Sequence, residues 1–377
     1  KTETTKIDKT APSGSIIIAE GATYTNSTSV TLTLSADDMT SGVSQMRFSH
    51  DNITWTPWED YAVSKAWHLP TGDGDKNVYV QFKDNAGLIS QSYTDAIILD
   101  TTPPSGSISI AEGSAYTNTT LVTLTLSATD ATSGVAEMRF SNDNATWSDW
   151  EANATSKSWI LLTGDGIRAA IVQYRDNAGL ISFYSDAIIL DTTKPVANAG
   201  TDQTVSEDTL VTFDGSASTD ENGIASYTWT FTDATPQTLS GKNPTYTFAA
   251  LGRYTVTLKV TDPAGNSATD TVIITVLDIT KPIANAGTDQ TVDEDTLVTF
   301  DGSASTDNVG IISYTWTFTD AGTLQTLDGM NPTYTFQTPG IYTVTLNVTD
   351  AEGNYATDTV TITVLDITKP VANAGAD

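Results

Sequence analysis

The 377 residues carry 46 acidic side chains against 17 basic ones, a formal charge of −29, which repels a phosphate backbone and excludes nucleic acid as a partner. With no cysteine, disulfides, thiolate zinc sites and cysteine nucleophiles are excluded too. A charged fraction of 17% and a hydrophobic fraction of 38%, with abundant Thr and Ser, predict a folded chain of short β-branched strands joined by polar turns.

Residues 1–8 read as a linker. Sliding the sequence on itself by 92 residues then sets Asp8-Lys-Thr-Ala-Pro-Ser-Gly14 on Asp100-Thr-Thr-Pro-Pro-Ser-Gly106 and Met46-Arg-Phe-Ser49 on Met138-Arg-Phe-Ser141. The same shift sets Asp84-Asn-Ala-Gly87 on Asp176-Asn-Ala-Gly179, and Trp55, Trp58 and Trp67 on Trp147, Trp150 and Trp159. Residues 9–100 and 101–192 are therefore two copies of one unit. A different unit starts at Pro195-Val-Ala-Asn-Ala-Gly200, recurs at Pro282-Ile-Ala-Asn-Ala-Gly287 and starts again at Pro370-Val-Ala-Asn-Ala-Gly375. This gives domains at 193–279 and 280–367, with 368–377 as the start of a further copy, so a longer repeat array is expected.

Ser29-Val-Thr-Leu-Thr-Leu-Ser35, Arg253-Tyr-Thr-Val-Thr-Leu-Lys-Val260 and Asp270-Thr-Val-Ile-Ile-Thr-Val276 mostly alternate apolar and polar residues, as half-buried strands do. Roughly seven such runs per unit predict an all-β fold: four tandem immunoglobulin-like β-sandwich domains in an extended array. Proline in the linkers Leu99-Asp-Thr-Thr-Pro-Pro104, Leu190-Asp-Thr-Thr-Lys-Pro195, Leu277-Asp-Ile-Thr-Lys-Pro282 and Leu365-Asp-Ile-Thr-Lys-Pro370 predicts semi-rigid connections. Strands of about 10 residues make each domain some 35–40 Å long, so four in line reach on the order of 150 Å. No apolar run approaches the roughly 18 residues of a membrane helix. Residues 1–30 lack the apolar region of a signal peptide, so signal and anchor are expected outside this segment.

The third and fourth units resemble the polycystic-kidney-disease (PKD) domain as it occurs in surface-layer-type proteins of methanogenic archaea. The resemblance rests on Phe213-Asp-Gly-Ser-Ala-Ser-Thr-Asp220, Ser226-Tyr-Thr-Trp-Thr-Phe231, Asn243-Pro-Thr-Tyr-Thr-Phe248 and Gly252-Arg-Tyr-Thr-Val-Thr-Leu258, with counterparts between Phe300 and Leu346. It departs at Trp229-Thr-Phe-Thr-Asp233, where the family usually reads Trp-Asp-Phe-Gly-Asp. The first two units are similar to bacterial and archaeal Ig-like surface repeats, through Phe140-Ser-Asn-Asp-Asn-Ala-Thr-Trp147 and the tract from Gln173 to Ser182. Both resemblances imply an extracellular, cell-surface location and a spacer, assembly or adhesion role, with other envelope proteins, glycans or further copies of the chain as partners.

The PKD resemblance also implies calcium as a cofactor, held by Asn198, Asp220 and Asn222 with Asp262 in the third unit. Asn285, Asp307 and Asp350 match these in the fourth, where Val309 replaces Asn222 and Asn308 stands in for it. Oxygen ligands on loops suit calcium, although Asp and Asn are equally the default residues of turns. The linker residues Asp8, Asp100, Asp191, Asp278 and Asp366 occupy equivalent junctions and are candidates for a shared cation, or for capping of the linker turn. Asn26, Asn52, Asn118, Asn144, Asn153 and Asn347 head Asn-x-Ser/Thr triplets and are glycosylation candidates.

Trp55, Trp58 and Trp67 form either a sugar-stacking platform or sandwich packing, and the strand-like runs around Trp55 and Trp67 favour packing. The only histidines, His50 and His68, become Asn142 and Ile160 in the next copy, and no Gly-x-Ser-x-Gly or His-Glu-x-x-His motif is present. A non-catalytic segment is expected. The rival readings are an adhesin-type binding module and the accessory tail of a secreted hydrolase.

Overall fold

The computed structural model describes residues 7–372. Their strands form four pairs of sheets, and the chain divides into two compact units. The first runs up to Thr193 and takes in the turn Pro263–Asn266; the second comprises the rest from Lys194.

In the first repeat the strands are β1 (Ser13–Ile18), β2 (Tyr24–Thr25), β3 (Ser29–Asp37), β4 (Val43–Ser49), β5 (Glu59–Asp60), β6 (Ser64–His68), β7 (Gly74–Asp84) and β8 (Tyr93–Leu99). A three-stranded sheet β1-β3-β6 faces a five-stranded sheet β2-β8-β7-β4-β5. All pairings are antiparallel except that of β2 with β8, where Tyr24 lies opposite Ile98. The alternation in β3 is realised directly: Val30, Leu32 and Leu34 are buried while Ser29, Thr31 and Thr33 are exposed. Facing them from the other sheet are Met46, Phe48, Val80 and Phe82, each large side chain contributing about 1.5–3 kcal/mol by leaving water. The second repeat reproduces this topology, with Ser156–Ile160, Leu121–Thr129 and Ser105–Ile110 as its three-stranded sheet.

The third and fourth domains have seven strands each. In the third, Gln203–Ser206, Ser267–Leu277, Gly252–Thr261, Ser226–Asp233 and Thr235–Ser240 make the larger sheet, and Val211–Thr212 with Thr245–Tyr246 makes a small second one. The first of these runs parallel to Ser267–Leu277. Trp229 is fully buried, stacks on Phe213 at 5.2 Å and donates its indole N–H to the carbonyl of Gly241 at 3.1 Å. The aspartate that closes this stretch, where the chain keeps the family pattern, has a structural use. Asp233 is buried and accepts from the Tyr246 hydroxyl at 3.0 Å and the Ala249 N–H at 2.9 Å. Asp320 likewise accepts from Tyr334 at 2.9 Å. In the Phe-Asp-Gly-Ser motif Gly215 is needed for space, because a Cβ there would lie 3.0 Å from Tyr227 and 3.1 Å from the Lys242 carbonyl.

Candidate metal centres

Carboxylates that lie far apart in the chain converge at the base of these domains. In the fourth domain Asp307 and Asp350 meet the linker residue Asp278, with one oxygen from each lying within 4.8 Å of the others. Each carboxylate spends one oxygen on its own turn. Asp307 Oδ2 accepts the N–H groups of Val309 and Gly310 at 2.9 and 2.8 Å, and Asp350 Oδ1 accepts those of Glu352 and Asn354 at 3.0 and 2.8 Å. Asp278 Oδ1 accepts from Thr280 at 3.0 Å. The turn reading of these residues is thus real, but it uses only half of Asp278 and Asp307, whereas Asp350 Oδ2 also accepts the Asn354 side-chain amide at 2.8 Å. Asp278 Oδ2 and Asp307 Oδ1 are buried without a hydrogen-bond partner.

Burial raises the pKa of Asp278, and the neighbouring Glu207 adds to the rise. For Asp350 burial is the strongest single influence and acts upward, yet hydrogen bonds from the Asn354 side chain and the turn N–H groups outweigh it and leave the pKa lowered. Two carboxylates about 5 Å apart repel by roughly 3 kcal/mol at an effective dielectric of 20. No lysine or arginine offsets this: the ion pairs among the described residues are Lys65–Glu59, Lys157–Glu151 and Arg175–Glu137.

The PKD-based residue set is redistributed. Asn285 is exposed and its Oδ1 accepts the Gly287 N–H at 3.0 Å, while Asn198 does the same for Gly200 at 2.9 Å. Asn308 directs its amide nitrogen, a donor, at Glu207 Oε2 at 2.9 Å and at Asp278 Oδ1 at 3.5 Å. In the third domain Asp220 accepts the Asn222 N–H at 2.8 Å, and Asp262 is buried. Among the junction residues, Asp100 and Asp278 are buried, Asp8 is half-buried and Asp366 is exposed, accepting the Thr368 N–H at 2.9 Å.

Four acidic residues that the sequence reading did not single out join such clusters in the first unit. Asp38 and Asp84 meet Asp8, and Asp130 and Asp176 meet Asp100. The signal available for them was their recurrence at the same 92-residue offset as the linker aspartates.

The tryptophans separate. Trp67 packs against Phe48 and His50, with centroids 5.2 and 4.8 Å away, at the rim of the core. Trp55 does not reach the core, which corrects the expectation for it: it bridges to Ser49, on the same face as Arg47, whose guanidinium lies 4.9 Å above its ring. Trp58 is covered by Arg47 and Lys83, each at 4.6 Å, and Trp150 by Arg139 and Arg175 at 4.5 and 4.3 Å. Asn26, Asn52, Asn118, Asn144 and Asn153 lie in exposed loops, whereas Asn347 is half-buried within the strand Gly340–Asp350. No helix among the described residues is long and apolar enough to cross a membrane.

Fold and sites together define a tandem β-sandwich repeat chain whose acidic residues gather where one domain hands over to the next. The family model of the PKD domain matches residues 192–276 and 279–364, so the second half carries two tandem PKD domains. Among curated proteins, the Dyslexia-associated protein KIAA0319-like protein of Mus musculus is 34% identical over 192 residues, 47% of this chain and 18% of that protein. The Dyslexia-associated protein KIAA0319 of Homo sapiens is 31% identical over 185 residues, 45% of this chain and 17% of that protein. The match thus spans less than a fifth of those relatives. Among solved structures, a tetra-tandem repeat in the extending region of a large adhesion protein covers 94% of this chain and 99% of its own, at 17% identity and a TM-score of 0.36. A structure of a bacterial ice-binding adhesin covers 71% of this chain and 99% of its own, at 17% identity and a TM-score of 0.35.

Proposed function

We propose that this chain is a non-catalytic extracellular segment of a cell-surface or surface-layer-type protein, in which tandem sandwiches serve display, assembly or adhesion. One observation carries the reading: the polar side chains at the linkers are spent on holding neighbouring domains. Asp73 of the first repeat accepts the N–H and hydroxyl of Thr101 at 2.9 and 2.8 Å and the hydroxyl of Thr102 at 2.7 Å. Asp100 then accepts the Ser133 N–H of the second repeat at 3.2 Å. In the second unit Glu207 accepts the Thr280 N–H at 3.1 Å, and the Asn354 amide donates to the Asp278 carbonyl at 3.3 Å. A braced linker is what a spacer needs, and a flexible tether would have no use for these bonds. The reading includes a calcium ion at Asp278, Asp307 and Asp350, where hard oxygen ligands and partnerless buried carboxylate oxygens coincide.

The histidines support a non-catalytic role: the His50 ring packs against Trp67 and His68 bonds the Ser29 hydroxyl at 3.1 Å, so neither has a nucleophile and an orienting carboxylate together. The cations over Trp58 and Trp150 weigh against the sugar platform, since a stacked sugar has to displace them.

The test is a glycan array probed with the whole chain. Absence of saturable binding is expected. Saturable binding lost in Trp58→Ala or Trp150→Ala transfers the function to an adhesin-type module.

A further inference from the structure

The first two repeats lie outside the PKD-matched region, yet each gathers three carboxylates in the same way, one from the linker and two from turns that follow. In the second repeat Asp130 Oδ1 alone accepts the N–H groups of Thr132, Ser133 and Gly134, at 3.1, 2.8 and 2.9 Å. Asp176 Oδ1 accepts the Leu180 N–H at 2.8 Å and Asp100 Oδ1 the Thr102 N–H at 3.1 Å. One oxygen of each thus fixes a turn, and one oxygen from each of the three residues lies within 4.8 Å of the others. Asp100 and Asp176 are 0% and 2% exposed, and Asp176 Oδ2 has no hydrogen-bond partner. The first repeat duplicates the arrangement. Asp38 Oδ1 accepts from Thr40, Ser41 and Gly42 at 3.1, 2.7 and 3.0 Å, and Asp84, 1% exposed, has Oδ1 on the Leu88 N–H at 2.8 Å and a buried, partnerless Oδ2.

A buried carboxylate oxygen with no donor and two like charges beside it is a costly arrangement unless a cation sits among them. Oxygens bound about 2.4 Å from one calcium ion lie no more than about 4.8 Å apart, a limit these three oxygens keep within, and an all-oxygen donor set selects calcium over zinc or copper. We propose that Asp8, Asp38 and Asp84 in the first repeat, and Asp100, Asp130 and Asp176 in the second, each hold one calcium ion. The ion ties the incoming linker to two turns of the domain that follows.

Equilibrium dialysis of the whole chain against calcium counts the ions. Asp84→Asn and Asp176→Asn are each expected to lower the number bound by one, and the double variant by two. In chelator neither variant is expected to melt below the parent, because the change removes a repelling charge; in calcium both melt lower. An unchanged count in either folded variant overturns the proposal for that repeat. Should Asp176→Asn fail to fold, Asp130→Asn decides the second repeat by the same count, and Asp38→Asn does so for the first.

Discussion

The phenol of Tyr174, fully buried between the sheets of the second repeat, donates to the backbone carbonyl of Ser107 at 2.9 Å. The residue at the same place in the first repeat is Phe82, also fully buried, so the site accepts a ring without the hydroxyl. Tyr174→Phe is therefore expected to fold and to lose about 1 kcal/mol, the usual net worth of such a bond, as read by urea unfolding. Burial pushes the Tyr174 phenol up to about 12. A raised pKa means that the fold favours the protonated form, so its contribution is whole below pH 10 and lost as pH climbs from 10 to about 12. The parent is expected to lose stability over that window, and Tyr174→Phe to lose less.

Gly106 passes beneath the same ring. A Cβ there would lie 2.7 Å from Tyr174 Cε2 and 2.6 Å from the Ser127 carbonyl. Gly106→Ala is expected to cost on the order of 1–3 kcal/mol through overpacking, while Gly179→Ser, where a Cβ would meet nothing within 4 Å, is not a core change and its cost comes from backbone strain at a φ of +90°. Thermal unfolding of the two variants reads both losses.

Asp143 accepts the N–H groups of Thr146 and Ala145 at 2.7 and 2.8 Å and the Ser141 hydroxyl at 2.9 Å, and these bonds hold its pKa down at about 2. A lowered carboxylate stabilises the fold above its ordinary value of 3.8 and loses that contribution as pH falls toward 2. A carboxyl-carbon NMR titration is expected to place the Asp143 midpoint near 2, well below that of an unbonded aspartate.

The two kinds of tryptophan differ sharply in weight. Trp229→Ala empties the centre of the third domain and is expected to cost about 3–5 kcal/mol. Trp58→Ala removes a half-buried ring under two cations, with contacts of roughly 0.5–1 kcal/mol each. Denaturant unfolding of the pair checks the order.

The strands were legible because burial follows period two: Val256, Leu258 and Val260 fall inward in Gly252–Thr261, and Val272, Ile274 and Val276 in Ser267–Leu277, as their spacing predicts. The parallel pairing of Gln203–Ser206 with Ile274–Leu277 was not, because a four-residue edge strand carries too little pattern to show its partner. Nor did the strand-like setting of Trp55 reveal its face, which the register of its bridge to Ser49 decides. Of the fourth-domain candidates, Asp307 and Asp350 lie together with the linker residue Asp278, while Asn285 Oδ1 accepts the N–H of its own turn, at Gly287. Asp38, Asp84, Asp130 and Asp176 were hidden inside ordinary turn motifs, because convergence of loops 30 and more residues apart belongs to the fold and leaves no local signature.

Thermal unfolding of the whole chain in calcium and in chelator tests most directly the proposal that calcium braces these domains. Calcium at about ten times its dissociation constant stabilises each occupied domain by about 1.4 kcal/mol, so a rise in melting temperature of roughly 5 °C or more is expected. Coincident melting curves in the two conditions would contradict it.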